Sequence, residues 1–191
     1  MNLPVIEAMK LSRIAAPFDN PDFVFELKYD GFRSLAYIAD GRCSLVSLHK
    51  TYYQSFDSLK TALAQLKAKT AILDGELVCL DSEGRSRFNL LLRRRAAPVF
   101  YAFDLLWLNG KDLRQLPLVD RKIRLRKLIE KSDCERITYT QHIEMRGCVL
   151  YSATCKKDLE GIVCKRKDSI YSVSGQWLKV LNPKYTHHMP N

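Results

Sequence analysis

The sequence predicts an α+β chain, built from antiparallel sheets with helices packed on them. Three observations carry that prediction. Apolar, β-prone runs follow one another closely and are punctuated by Asp30-Gly31, Asp40-Gly41 and Asn109-Gly110, dipeptides that mark tight turns between strands. Between the runs stand apolar stripes at helical spacing. The composition, 47% apolar and 27% charged over 191 residues, is that of a globular chain long enough for one full core.

Residues 1–20 read as an irregular lead-in with prolines at Pro4 and Pro17, and Asp19-Asn20-Pro21 as the turn before the first strand. Strands are predicted over residues 23–27, 32–38 and 42–48. Asp30-Gly31 makes the first two a strand, a tight turn and a strand, which sets Lys28 at the lip of a sheet with Arg33 close behind; Asp40-Gly41 turns between the second and third.

Phe56, Leu59, Leu63 and Leu66 give residues 55–67 the stripe of an amphipathic helix. Residues 70–81 form a long apolar run that contains a further Asp-Gly, Asp74-Gly75, and then Glu76. A carboxylate in an otherwise buried strand is costly unless it is paired or binds a metal. Residues 86–95 read as a helix ending in Arg93-Arg94-Arg95, and residues 98–108 as a strand closed by Asn109-Gly110.

Residues 119–131 form a basic amphipathic helix, with Ile123, Leu125, Leu128 and Ile129 set against Arg121, Lys122, Arg124, Arg126 and Lys127; the basic side reads as a solvated face. A short strand over residues 137–140 and a helix over residues 144–158 follow. The strand at residues 159–166 carries Glu160, Gly161 and Lys165, with Glu160 and Lys165 on opposite faces unless a bend intervenes. The strand at residues 175–184 carries Lys179, and a short polar tail runs over residues 186–191. No repeat, linker or low-complexity tract divides the chain, which reads as one domain over residues 1–191.

The net charge of +10 suits a polyanionic partner such as nucleic acid or a nucleotide. No apolar run approaches the roughly 20 residues of a membrane span, and the N-terminus lacks the basic start and apolar core of a signal peptide. No membrane partner and a cytoplasmic, non-secreted setting are therefore expected. The six cysteines show no Cys-x-x-Cys spacing and no zinc-ligand pattern with histidine. Buried free thiols are the reading that follows.

A free lysine has a pKa near 10.4 and is protonated at neutral pH. Lys28 is a nucleophile only in a pocket whose neighbouring cations or low polarity favour the neutral amine. The rest of the chain supplies such a pocket by resemblance. Lys28-Tyr29-Asp30-Gly31 with Arg33, Asp74-Gly75-Glu76-Leu77-Val78, Phe103-Asp104-Leu105-Leu106 with Asn109-Gly110, Glu160-Gly161-Ile162-Val163-Cys164-Lys165 and Trp177-Leu178-Lys179 stand in one order at fitting separations. Together they resemble the adenylation domain of ATP-dependent DNA ligases, within the lysine-adenylating nucleotidyltransferase superfamily. The Phe-Asp-Leu-Leu form with its Asn-Gly turn is more similar to DNA ligases than to RNA ligases or mRNA capping enzymes.

That resemblance implies an ATP-grasp-like nucleotidyltransferase fold around a nucleotide pocket. It implies that Lys28 attacks the α-phosphate of ATP and holds AMP covalently, and that AMP passes to the 5′-phosphate of nicked double-stranded DNA in repair or recombination. It also implies cationic catalytic roles for Lys165 and Lys179, and magnesium held by Glu160 and Glu76. Nucleotide contacts fall to Glu26 and Leu27 at the base edge through backbone, Arg33 near ribose or the incoming phosphate, Glu76 at the ribose and Phe103 stacked on adenine. These cations and the metal would lower the pKa of Lys28.

Three departures from the family pattern set further expectations. Where the family has Ser-Arg-x-Gly, this chain has Ser47-Leu48-His49-Lys50. Where the family has Lys-x-Lys, it has Lys179-Val180-Leu181. Few residues follow, where DNA ligases continue into an oligonucleotide-binding β-barrel, so no such domain and little or no unaided nick sealing are expected. The alternative reading is a degenerate ligase-like domain that binds ATP or DNA without completing ligation; no protein partner is implied.

Overall fold

The computed structural model describes residues 3–186. In chain order the first strands are β1 (Lys10–Arg13), β2 (Asn20–Lys28), β3 (Phe32–Ala39) and β4 (Arg42–Ser47). Helix α1 (Asp57–Leu63), strand β5 (Thr70–Val78), helix α2 (Phe88–Leu92), strand β6 (Val99–Leu108) and the short β7 (Lys111–Asp112) follow. Then come α3 (Leu118–Glu130), β8 (Ile137–Tyr139), β9 (His142–Met145), α4 (Gly147–Lys156), β10 (Gly161–Arg166) and β11 (Gln176–Leu181).

The strands make two sheets. One has the order β1-β11-β10-β2-β9, the other β4-β3-β5-β6-β7 with β8 paired to β6. Most pairings are antiparallel, and β1 with β11 and β8 with β6 are parallel. The two sheets face each other. Leu35, Ile72 and Leu106 from the second sheet meet Val163 and Trp177 from the first in the core between them.

Strand alternation explains the layers. On β5, Ala71, Leu73 and Leu77 join the core under α1 and α3, while Ile72 points to the facing sheet. On β2 and β10, Phe25, Ile162 and Cys164 face outward and pack beneath α4 with Leu150 and Tyr151. Each sheet is therefore covered by helix on its outer face, and the inner faces are left to form a core at one end and a polar cleft at the other.

The structure corrects several expectations. Residues 10–13 of the lead-in form β1, a strand that exists through its pairing with β11 from the far end of the chain; no local pattern announces such a partner. Residues 144–145 belong to β9, so the helix predicted from residue 144 starts at Gly147. The helix expected over residues 86–95 is confined to Phe88–Leu92, and that over 55–67 to Asp57–Leu63. Of the cysteines, all free, Cys43, Cys79 and Cys164 are buried, but Cys148 is exposed. Residues 187–191 of the predicted tail lie outside the described residues.

The largest correction concerns the stretch around Lys28. β2 and β3 do not form a hairpin: they lie in different sheets. The segment Tyr29-Asp30-Gly31 crosses from one sheet to the other, and the Asp-Gly step serves that crossing. A Cβ at Gly31 would sit 2.1 Å from the Leu77 carbonyl oxygen, so only glycine lets the chain pass so close to β5.

Candidate active site

Lys28 ends β2 on the cleft face, because Phe25 faces outward and Glu26 and Lys28 alternate with it. Its Nζ lies 2.6 Å from Glu160 Oε1. Glu160 stands just before β10, and Gly161 (φ +155°) supplies the bend: a Cβ there would lie 2.2 Å from the Val180 carbonyl oxygen. The bend lets Glu160 reach the same cleft as Lys165, although simple alternation sets the two on opposite faces.

The crossing segment is held from both sides. The Asp30 amide donates to Ser86 Oγ at 3.2 Å, and the Tyr185 hydroxyl donates to the Asp30 carboxylate at 2.8 Å. Tyr29 packs on Tyr101 with ring centroids 4.3 Å apart.

Beneath Lys28 lies a cavity bordered by Glu26, Leu27, Lys28, Arg33, Glu76, Phe103 and Lys165, together with Val163 and Trp177. The sequence-predicted nucleotide residues thus converge, with Lys179 and Glu160 outside that lining. Lys179 sits opposite Val163 on the same face of the sheet. The cavity holds about 40 Å³, against roughly 300–1,000 Å³ for typical ligand sites. A planar ring system therefore enters only if the rings of Phe103 and Trp177, or the two sheets, move apart. Phe103 meets Trp177 edge to face at 5.7 Å, and Lys165 Nζ lies 4.3 Å and 4.0 Å from the two ring centroids.

Phe103 owes its place to a break in register. Gly75 pairs with Ala102 and Asp74 with Asp104, which leaves Phe103 as an extra residue on β6. A bulge of this kind re-aims a side chain and is common beside active sites.

The electrostatics rest on three buried groups of ions. Arg33 makes a two-point pair with Asp74, at 3.1 and 2.8 Å, and the Tyr171 hydroxyl donates to the same carboxylate at 2.7 Å. Arg121 pairs with Asp104 through two contacts of 2.8 Å. Glu26 is gripped by Lys122 at 2.5 Å and Lys165 at 2.6 Å. Burial opposes ionisation of Glu26, but the two ammonium groups outweigh it and hold the carboxyl below its usual range. Burial, with Lys122 as a neighbouring cation, pulls Lys165 down to about 8 against the attraction of Glu26. Burial pushes Glu76 up to about 8; Lys28 and Arg33 oppose that shift, and Glu160 and Asp74 add to it.

Two of these ions overturn the sequence reading. Arg121 and Lys122 were expected on a solvated helix face, yet both are buried, while Ile123 is 52% exposed. The apolar stripe of α3 is thus rotated from the one read off the sequence, because two internal carboxylates, Asp104 and Glu26, claim its cations. The one signal available was those acids themselves, each lodged in an apolar run and needing a partner. Leu48 of the departed motif is half exposed in the turn after β4, bordering a different groove with Val5 and Glu7.

Comparison with known proteins identifies a family and similar folds. The model of the family described as ATP dependent DNA ligase domain matches residues 6–180. The chain is 32% identical over 186 residues to the multifunctional non-homologous end joining protein LigD of Pseudomonas aeruginosa, covering 93% of this chain and 22% of that protein. It is 28% identical over 191 residues to the SPbeta prophage-derived DNA ligase-like protein LigB of Bacillus subtilis, covering 95% of this chain and 69% of that protein. Among solved structures, it superposes on the ligase domain of M. tuberculosis LigD with a TM-score of 0.77 at 27% identity, covering 90% of this chain and 58% of that one. A mycobacterial DNA ligase D complexed with ATP and MES gives a TM-score of 0.77 at 26% identity, covering 91% and 60%. The chain spans about a fifth of the length of the LigD protein from Pseudomonas.

Proposed function

Because the chain belongs to the ATP-dependent DNA ligase domain family, we propose that it acts as the adenylation domain of such a ligase, taking ATP as the nucleotide. The observation that carries this reading is the position of Lys28. Its amine ends a strand at the mouth of the cavity that gathers Glu26, Arg33, Glu76, Phe103 and Lys165. The net charge of +10 suits nicked duplex DNA as the acceptor. Among the described residues no helix is long and apolar enough to cross a membrane.

In the proposed step, the Lys28 nitrogen attacks the α-phosphorus of ATP. A P–N bond forms, the P–O bond to pyrophosphate breaks with its electron pair leaving on pyrophosphate, and the amine gives up its proton to solvent. This covalent route divides one condensation into easier steps. Lys179 and Lys165 supply positive charge along the path of the nucleotide, and Phe103 offers an aromatic face to the base. Arg33 stays fixed by Asp74 and lends its charge from a set position near the ribose. The backbone of Glu26 and Leu27 borders the base edge. The AMP then passes to a DNA 5′-phosphate, and a 3′-hydroxyl displaces it.

A magnesium ion fits the donors present. The charge of Glu160 adds to the cost of ionising Glu76, and a cation between the two carboxylates relieves it. No group of three or more His, Cys, Asp or Glu with metal-site geometry occurs among the described residues. That fits magnesium, which takes one or two carboxylates and fills its shell with water and phosphate oxygens. When bound, it supplies charge neutralisation for the phosphates.

The test is incubation with α-labelled ATP and magnesium, followed by a denaturing gel. The label is expected to survive denaturation in the wild-type chain and to vanish in Lys28→Ala. A label that persists in the variant removes Lys28 as nucleophile, and a chain that never labels removes the adenylation reading. Nicked DNA added to the labelled chain then tests transfer of AMP.

A further inference from the structure

The ions around the cavity are balanced from within, except along one edge. Lys28 is paired with Glu160, Arg33 with Asp74, and Lys122 and Lys165 share Glu26. On the parallel pair β1 and β11, Leu11 stands opposite Trp177 and Arg13 opposite Lys179. Leu11 and Trp177 border the cavity. Ile14, Leu178 and Val180 pack into the core on the other side of the sheet. Alternation therefore sets Arg13 and Lys179 side by side on the cavity face. The Ile14 amide donates to the Lys179 carbonyl at 3.0 Å, which fixes the register at that point.

The same row continues through Val163 to Glu26. The adjoining row is Leu181, Gly161 and Lys28. Arg13 and Lys179 thus stand one row from the nucleophile, three and two strands across from it. With strands about 4.8 Å apart, Arg13 begins roughly 14 Å from Lys28 across the sheet.

Like charges directly opposite on neighbouring strands are destabilising. Neither Arg13 nor Lys179 has an ion-pair partner among the described residues. Leu181, in the row of Lys28, brings no charge. Two opposed cations facing a nucleotide cleft are what a polyphosphate relieves. We propose that Arg13, beside Lys179 at the edge of the cleft, is a binding residue for the terminal phosphates of ATP and for the pyrophosphate they become. The inference rests on the nucleotide-site reading above and adds a residue from a strand outside the five matched motifs.

The experiment measures equilibrium binding of ATP and of adenosine to the full chain in the Lys28→Ala background, where no covalent product forms. Arg13→Ala is expected to weaken ATP binding about ten- to a hundredfold, the range of one charge-assisted hydrogen bond. Adenosine affinity is expected to stay within about twofold, and the urea midpoint not to fall, since a like-charge contact is removed. Arg13→Lys is expected to restore most of the ATP affinity. Equal losses for ATP and adenosine mark a fold effect and overturn the inference, as does unchanged ATP binding. A loss confined to nicked DNA reassigns Arg13 to the DNA backbone and also overturns it. A chain that binds neither ATP nor adenosine removes the nucleotide-site reading itself, and with it the inference.

Discussion

The Lys122 ammonium lies 2.5 Å from Glu26 Oε1, with both side chains almost wholly buried. Lys165 takes the other oxygen at 2.6 Å. Lys122 also approaches the carbonyl oxygen of Thr140 at 3.2 Å and the ring of Tyr139 at 4.6 Å. One carboxylate therefore ties α3 of one layer to β10 and β2 of the other, directly behind the cleft.

This arrangement ranks three variants. Glu26→Gln leaves two ammonium groups buried without their anion and is expected to cost about 3–5 kcal/mol, the range for breaking a buried pair. Lys122→Met leaves Glu26 and Lys165 as a neutral pair and is expected to cost less. The double variant is expected to be more stable than the sum of the two single losses, because the residues act in one network. Urea denaturation measures all three; equal losses for the two single variants would count against the shared-carboxylate account.

Glu76 sets a pH dependence. Its ordinary value of 4.5 is pushed up to about 8 in the fold, chiefly by burial. The folded chain then binds more protons at Glu76 than the unfolded chain between those values, so this contribution to stability is full below about 4.5 and is lost as pH rises through about 8. Glu76→Gln is expected to flatten that fall in denaturation midpoints measured from pH 5 to 9. A variant with the wild-type slope would show that the carboxyl is not the source.

Gly31→Ala tests the crossing between the sheets. The added Cβ meets the Leu77 carbonyl at 2.1 Å and Glu76 Cγ at 3.0 Å, so the backbone must shift. A loss of at least about 1–3 kcal/mol, the usual scale of overpacking, is expected together with reduced formation of lysyl-AMP. Thermal unfolding and the labelling gel read the two effects separately. A stable, fully active variant would mean that the passage is looser than the geometry.

Two lost motif cations separate by location. Leu181 stands in the row of Gly161 and Lys28, whereas Leu48 is half exposed in a turn and borders a different groove. Leu181→Lys is expected to raise lysyl-AMP formation by about tenfold or more, the scale of one preorganised catalytic contact. Leu48→Arg is expected to leave that step unchanged and to act only where DNA is present. Single-turnover labelling of both variants distinguishes them; the reverse pattern would contradict the row assignment.

By itself, the sequence determined the order of the motifs and the place of most strands, and the resemblance those motifs carry named Lys28, Glu76, Phe103 and Lys165, which border one cavity. Alternation and turn chemistry are local, so they survive in a single chain read in order. Tertiary structure alone decided the rest. The Lys28 stretch reads as a hairpin, yet it bridges two sheets, because Leu77 and Ser86 lie far along the chain. The residues that became β1 needed β11, more than 160 positions away, to supply hydrogen bonds that no local pattern forecasts. Lys122 and Arg121 read as solvent-facing, since helical periodicity counts apolar side chains and does not register a distant carboxylate. It was the cost of leaving Glu26 and Asp104 unpaired in the interior that turned those cations inward.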